Sequence, residues 1–242
     1  MKESIAVCIV VNDLYFESRY VIENLIAKTK VKFKLYILDN GSKDVRIKEF
    51  CSELCEKKKG SFTSSDVVLS VSKAINNLYK QVSEKYCVIF PINCLVHQNW
   101  LEDLISNIKI IDKPGLISIR SKSESLHLVP VLHHSPKEYE DCLKNVFVSE
   151  TNAVEGLMFF DKTVVNEKVG LFNENFKNQG YEQLEFSFRF SGQGFNNIYI
   201  RKQTLIKLNL QSDILFPLKN KQGFVELKEE VKNMVKTQNF KR

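Results

Sequence analysis

The chain has 242 residues, 43% of them hydrophobic, and a formal charge of +6, which is enough apolar material for one large α/β core without a second domain. No apolar run reaches the roughly 18 residues that cross a bilayer, and the opening lacks the basic, apolar, small-residue order of a signal peptide, so a cytoplasmic protein is expected, at most peripheral on a membrane. The charge is local: residues 201–242 hold ten Lys/Arg against four Asp/Glu, and the first 200 residues balance. A solvated basic helix accounts for that excess, and so does an acidic partner such as a nucleotide diphosphate, an anionic lipid or a nucleic acid.

Ile5 to Val11 is an unbroken apolar, β-branched run of the kind buried in parallel sheets, closed by Asn12 and Asp13. Tyr20, Ile22, Leu25 and Ile26 give the next segment a helical apolar face, and Lys32 to Leu38 reads as a second strand ending at Asp39, which completes a β-α-β opening. Helices are expected over Arg46 to Lys58 and Val67 to Val82, then a strand over Tyr86 to Phe90 stopped by Pro91, and a helix from Trp100. Pro114-Gly115 marks a turn, and residues 116–150 read as a variable loop with short strands. A strand over Val154 to Phe160, a short helix over Thr163 to Val169, a helix over Tyr181 to Ser191 stopped by Gly192 and Gly194, and a last strand over Asn197 to Ile200 follow.

Six cysteines, Cys8, Cys51, Cys55, Cys87, Cys94 and Cys142, sit largely in apolar runs and read as reduced thiols. Cys51 and Cys55 share a helix face but have no second pair to complete a zinc set, and the spacing of His127, His133 and His134 fits no ligand pattern.

The segment from Lys34 to Asp44, KLYILDNGSKD, runs a strand into a polar turn, placing Asp39 at the carboxyl end where open α/β sheets bind nucleotides and Gly41 where the backbone must turn sharply. It resembles the uracil-binding turn of family 2 type, GT-A fold glycosyltransferases. Further features follow in that family's order. Ser72 to Asn77 is similar to its Ala-x-Asn helix beside the nucleotide, Trp100-Leu-Glu-Asp-Leu to the helix after its metal-binding turn, Val154 to Phe160 to its acceptor floor, and Gly180-Tyr-Glu-Gln-Leu-Glu to its Gly-x-Glu-Asp helix. The resemblance implies an α/β, Rossmann-like, mainly parallel mixed sheet flanked by helices over residues 1–205, with a basic C-terminal extension carrying an amphipathic helix over 206–242. It implies a nucleotide sugar as donor, uridine-linked, bound by Val11, Asn12, Asp39, Gly41, Asn76 and Asn93. The acceptor, near Gly156 and Tyr181, is a polysaccharide or glycolipid, with a modified base in DNA as the alternative.

The chain departs from the family at its acids. Where the family places Asp-x-Asp, Pro91-Ile92-Asn93 offers one neutral side-chain oxygen, so the Mg or Mn of the family would find poor ligands and only Asn93 as a candidate. Asn173 and Gln183 stand where acids are usual. Glu182 remains as the base that would deprotonate the acceptor hydroxyl, with Glu185 supporting it or pairing with Arg189 one turn on. Without a cation, Arg201, Lys202 and Lys207 are the candidates to balance the diphosphate. A non-catalytic relative serving as a binding or assembly subunit is the alternative reading. In the extension, Phe224, Leu227, Val231, Met234 and Val235 recur at helical spacing among lysines, an apolar stripe suited to the protein's own core or to a second copy in a homo-oligomer, with the lysines left to meet a membrane surface or a nucleic acid.

Overall fold

A computed structural model of the chain describes residues 4–121, 148–151, 154, 156–175 and 182–208. Nine strands form one sheet in the order β3-β2-β1-β4-β8-β6-β9-β5, with β7 also paired to β9. The strands are β1 (Ile5–Val11), β2 (Lys34–Asn40), β3 (Ser61–Ser65), β4 (Tyr86–Phe90), β5 (Cys94–Leu95), β6 (Pro114–Ser121), β7 (Val148–Thr151), β8 (Met158–Asp161) and β9 (Asn196–Lys207). β3, β2, β1 and β4 are parallel neighbours, β8 runs against β4 and β6, and β6 and β9 are parallel again. The mixed, mainly parallel sheet expected from the sequence is the one observed.

Strand alternation sorts the core into two faces. Ile5, Val7, Ile9 and Val11 of β1 point with Leu35, Ile37, Val88 and Phe90 toward α1 (Tyr15–Ala27), α2 (Val45–Lys57) and α4 (Trp100–Ile110). Ala6, Cys8, Leu38, Cys87 and Ile89 point the other way, toward α3 (Val71–Gln81) and the phenylalanines of α6 (Glu182–Gly192). Both faces are covered, which is why the central strands read as continuous apolar runs. Between β8 and α6 lie a single helical turn, α5 (Lys162–Val164), and a π-helical turn (Val165–Val169).

Several expectations are corrected. The polar strand β3 gave no apolar period because it lies at the sheet edge with β2 alone beside it. Gly60 leads into it so close to β2 that a Cβ would collide with the Leu35 carbonyl oxygen. The helix expected from Val67 starts only at Val71, because Ser70 caps it by accepting from Lys73 N–H (3.4 Å), leaving Val67 and Val68 exposed. Tyr20 is exposed and Val21 takes the buried place on α1. Pro114 and Gly115 open β6 rather than a turn, Pro114 lying at the strand's first residue where no ladder donor is needed. The strand expected over Val154 to Phe160 begins at Met158, after Gly156 at φ 82°. The last strand does not stop at Ile200: it continues to Lys207 because β6 and β5 both pair with it, so Arg201, Lys202 and Lys207 belong to the sheet.

His127, His133, His134, Cys142 and the amphipathic stretch after residue 208 lie outside the described residues. The five described cysteines are free and buried, and burial pushes the Cys51 and Cys55 thiols up to about 12. Among the described residues no helix is long and apolar enough to cross a membrane.

At the amino edge of the sheet, Glu84 is buried with Lys34 Nζ 2.6 Å and Tyr36 OH 2.8 Å from its carboxylate. Burial alone would raise its pKa, but the bonds from Lys34, Tyr36 and Ser83 outweigh it and hold the carboxyl below its ordinary value. A depressed carboxyl contributes stability that is complete above its unfolded pKa and is lost as pH falls through the folded value. Thermal melting should therefore show Glu84→Gln less stable than the parent at pH 7, with the gap closing as the pH is lowered below about 4. A gap independent of pH would contradict this assignment.

Candidate active site

Two loops leave the carboxyl ends of β1 and β2 and are tied together. Asn12 donates its amide to Asn40 O (2.6 Å), Asp13 N–H donates to Ser42 Oγ (2.7 Å), and Asp13 Oδ1 accepts from Lys43 N (2.7 Å) and Asp44 N (3.2 Å). To make these bonds Asp13 and Leu14 adopt φ of 46° and 54°. Two successive non-glycine residues in the left-handed region represent stored strain of the kind that clusters at ligand sites. Gly41 turns at φ 82°, where a Cβ would also crowd Val68 N at 3.1 Å. Asn40 holds the adjoining loop as a strand neighbour would, accepting from Leu69 N (2.8 Å) and donating to Leu69 O (3.1 Å).

Asp39 sits at the strand end, opposite Val11 in the β1–β2 ladder. Its carboxylate is fully buried on the α2 side, accepting from Ser42 N (3.2 Å) and Ser64 Oγ (2.7 Å), with Lys48 Nζ at 3.7 Å. In this conformation the chain's own groups occupy Asp39, so it shapes the 39–44 turn. Asn76 is likewise engaged at both ends of its amide: it donates to Phe172 O (2.9 Å) and Glu174 Oε1 (2.9 Å) and accepts from Phe172 N (3.0 Å). It latches α3 to the loop before α6.

β8 is antiparallel, so its start returns to the same edge, and there Gln183 grips Gly156: Oε1 accepts from Gly156 N (2.7 Å) and Nε2 donates to Gly156 O (3.3 Å). Among the described residues nothing lies within 4 Å of a Cβ added at Gly156. Glu182 and Glu185 lie in the first turn of α6, both buried. Glu185 is held by Arg189, whose Nη2 donates to Oε2 (2.9 Å) while Nε lies 2.7 Å from Oε1, off the line of a hydrogen bond. Arg189 also donates to Val169 O (2.7 Å). Of the two pairings the sequence left open for Glu185, the one with Arg189 is present.

The expected donor-side residues Val11, Asn12, Asp39, Gly41 and Asn93 therefore share one sheet edge with Gly156 and Glu182. Tyr181 lies outside the described residues, and of Arg201 and Lys202 only the strand backbone is described. Asp13, Asn40, Ser42 and Ser64 were missed as organisers of the edge. Asn12-Asp13 after an apolar strand carried a signal for them, since Asn and Asp tolerate left-handed backbone better than other residues.

A divalent cation needs several oxygen ligands. The 91–93 turn provides the Asn93 amide, whose Oδ1 accepts from Cys94 Sγ at 3.5 Å, and Asn93 O accepts from Leu208 N (2.8 Å). Among the described residues no group of three or more His, Cys, Asp or Glu side chains is gathered. This donor set does not fit such an ion.

No family model and no curated protein sequence matches the chain. Solved structures do. The mannosyltransferase PcManGT from Pyrobaculum calidifontis, in complex with GDP-Man and Mn2+, superposes with TM-score 0.67 at 13% identity, covering 86% of this chain and 58% of that one. GalNAc-T7 with UDP, GalNAc and Mn2+ gives 0.66 at 15% identity, covering 85% and 44%. Residues 1–349 of S. aureus TarS with UDP-GlcNAc give 0.67 at 11% identity, covering 87% and 60%. The chain thus spans about half of the length of these structures, and at such identities the likeness establishes the fold: this is a GT-A fold, shared with glycosyltransferases.

Asp39→Asn should lower the melting temperature, because Ser64, Lys48 and the Ser42 N–H lose a charged acceptor worth about 1–3 kcal/mol. A melting temperature equal to that of the parent would show that Asp39 does not hold the turn.

Proposed function

We propose that this chain is a glycosyltransferase that moves a sugar from a nucleoside diphosphate donor, uridine-linked by preference, to an acceptor hydroxyl with inversion. The observation that carries the reading is the convergence at one sheet edge of the strained Asp13-Leu14 turn, the Gly41 turn and the buried carboxylate of Glu182, in a fold shared with enzymes whose structures hold UDP, UDP-GlcNAc or GDP-Man. Two of the three named structures contain uridine nucleotides, which supports uridine.

The base and ribose lie against the 12–14 and 40–42 turns. The acceptor enters over Gly156, where no described residue lies within 4 Å of an added Cβ. Glu182 accepts the proton of the acceptor hydroxyl as its oxygen bonds to the anomeric carbon, the carbon–oxygen bond to the donor breaks, and the nucleoside diphosphate leaves with that electron pair. Arg189 engages both oxygens of Glu185, which gives Glu185 a structural role. A polysaccharide or glycolipid is the acceptor class we favour.

One observation favours a non-catalytic relative: Gln183, where the family carries an acid, serves as a structural clamp on Gly156. Turnover decides between the two readings. Release of nucleoside diphosphate from a panel of UDP- and GDP-sugars, with and without glycan or glycolipid acceptors, is expected for the enzyme, whereas donor binding without turnover on any acceptor would establish the second reading. In the enzyme, Glu182→Gln should retain donor binding and lower turnover by roughly 100-fold or more. Glu185→Gln should cost less turnover and act mainly on stability, by freeing Arg189. The reverse ranking would exchange their roles.

A further inference from the structure

The end of β9 carries a cation to the site edge. β9 is parallel to β6, and β6 and β4 both run against β8, so the carboxyl end of β9 arrives at the same edge as that of β4. There it is zipped to the turn that follows β4. Cys94 stands opposite Lys207 and Leu95 opposite Ile206, and Leu208 N–H donates to Asn93 O at 2.8 Å. Lys207 is exposed, and no ion pair holds it among the described residues. Its charge is felt locally: burial pushes the Cys94 thiol up to about 11, with Lys207 pulling against that rise. The neighbouring turn, Pro91-Ile92-Asn93, carries no carboxylate that would pair with the ammonium.

Resting on the function proposed above, we infer that Lys207 holds the donor's diphosphate beside Asn93, so that nucleotide binding needs no divalent cation. The ladder to β5 sets Lys207 opposite Cys94, and Leu208 N–H bonds to Asn93 O, so the Lys207 backbone is anchored beside the 91–93 turn and its ammonium is a preorganised charge. The phosphate oxygens find a point positive charge where the donor set does not fit a metal, and Asn93 adds an amide donor from a turn that brings no repulsive negative charge. When the bond to the sugar breaks, the charge that develops on the departing diphosphate is met by the same group. Arg201 and Lys202 are placed differently. They lie in the register irregularity between Ile200, opposite Ile119, and Thr204, opposite Arg120, several residues short of the β5 pairing.

Calorimetry on the full chain in EDTA tests this with UDP and GDP as diphosphate probes and uridine and guanosine as probes lacking it. The expected result is that the parent binds a nucleoside diphosphate equally well in EDTA and in Mn2+. Lys207→Ala should weaken that binding about tenfold or more without changing affinity for the nucleoside, and Lys207→Arg should retain most of it. Because Lys207 is exposed, its melting temperature should stay at the parental value. Two results overturn the inference while sparing the proposed function: unchanged diphosphate affinity in Lys207→Ala, or binding by the parent that EDTA abolishes and Mn2+ restores. If the parent binds neither nucleotide under any condition, the proposed function fails and this inference with it.

Discussion

Because β1 pairs in parallel with both β2 and β4, the chain must leave all three strands on the same edge, and every polar group that follows them is gathered there. The register sets the depth of each. Val11 lies opposite Asp39 and Ile9 opposite Phe90, so the Asn12 turn, the Asp39 turn and the Pro91 turn emerge side by side. The antiparallel β8 adds its own beginning to this edge, and α6, lying on the sheet ahead of β9, brings Glu182 to it. No one of these groups is a site by itself. The sheet order is what brings them together.

Polar groups brought to a crowded edge must be paired, and most of those here are paired with the protein itself. Asp13 takes two amides of the next loop, Asn40 replaces a strand neighbour for Leu69, Asn76 closes on Phe172 and Glu174, and Gln183 closes on Gly156. The result is a set of loops braced by the protein's own hydrogen bonds, the condition under which binding energy is least reduced by ordering. The same pairing alters the roles first read from the sequence. Asp39 and Asn76 act by bracing the loops, while in the proposed reading the exposed Lys207 beside Asn93 meets the donor and the acceptor lies over Gly156.

Much of this was legible in the amino acids. The bounds of β1 and β4 could be read to the residue because Ile5 to Val11 and Tyr86 to Phe90 are apolar on both faces and end at Asn12 and Pro91. Edge elements were harder. Ser61 to Ser65 has no apolar face to display, and β9 hides its second half in RKQTLIK, where basic residues suggested a tail although β5 and β6 supply the pairing. The edge itself was recognised from Asp39 and Gly41, but the direction of Asp39 was not, since a strand residue's face depends on which helix packs over it, here α2 with Lys48. The left-handed turn at Asp13-Leu14 is held by the Ser42 and Lys43 contacts, distant in sequence, so the Asn12-Asp13 pair hinted at a turn without disclosing its partners.

The central claim is that a nucleoside diphosphate lies across this edge, its base against the 12–14 and 40–42 turns and its phosphates beside Asn93 and Lys207. A crystal structure of the chain soaked with UDP-sugar or GDP-sugar addresses that claim most directly. The account predicts nucleotide density spanning those two places, with Glu182 facing the sugar from the opposite wall. Density bound elsewhere on the protein, or an empty edge at saturating nucleotide, would contradict it.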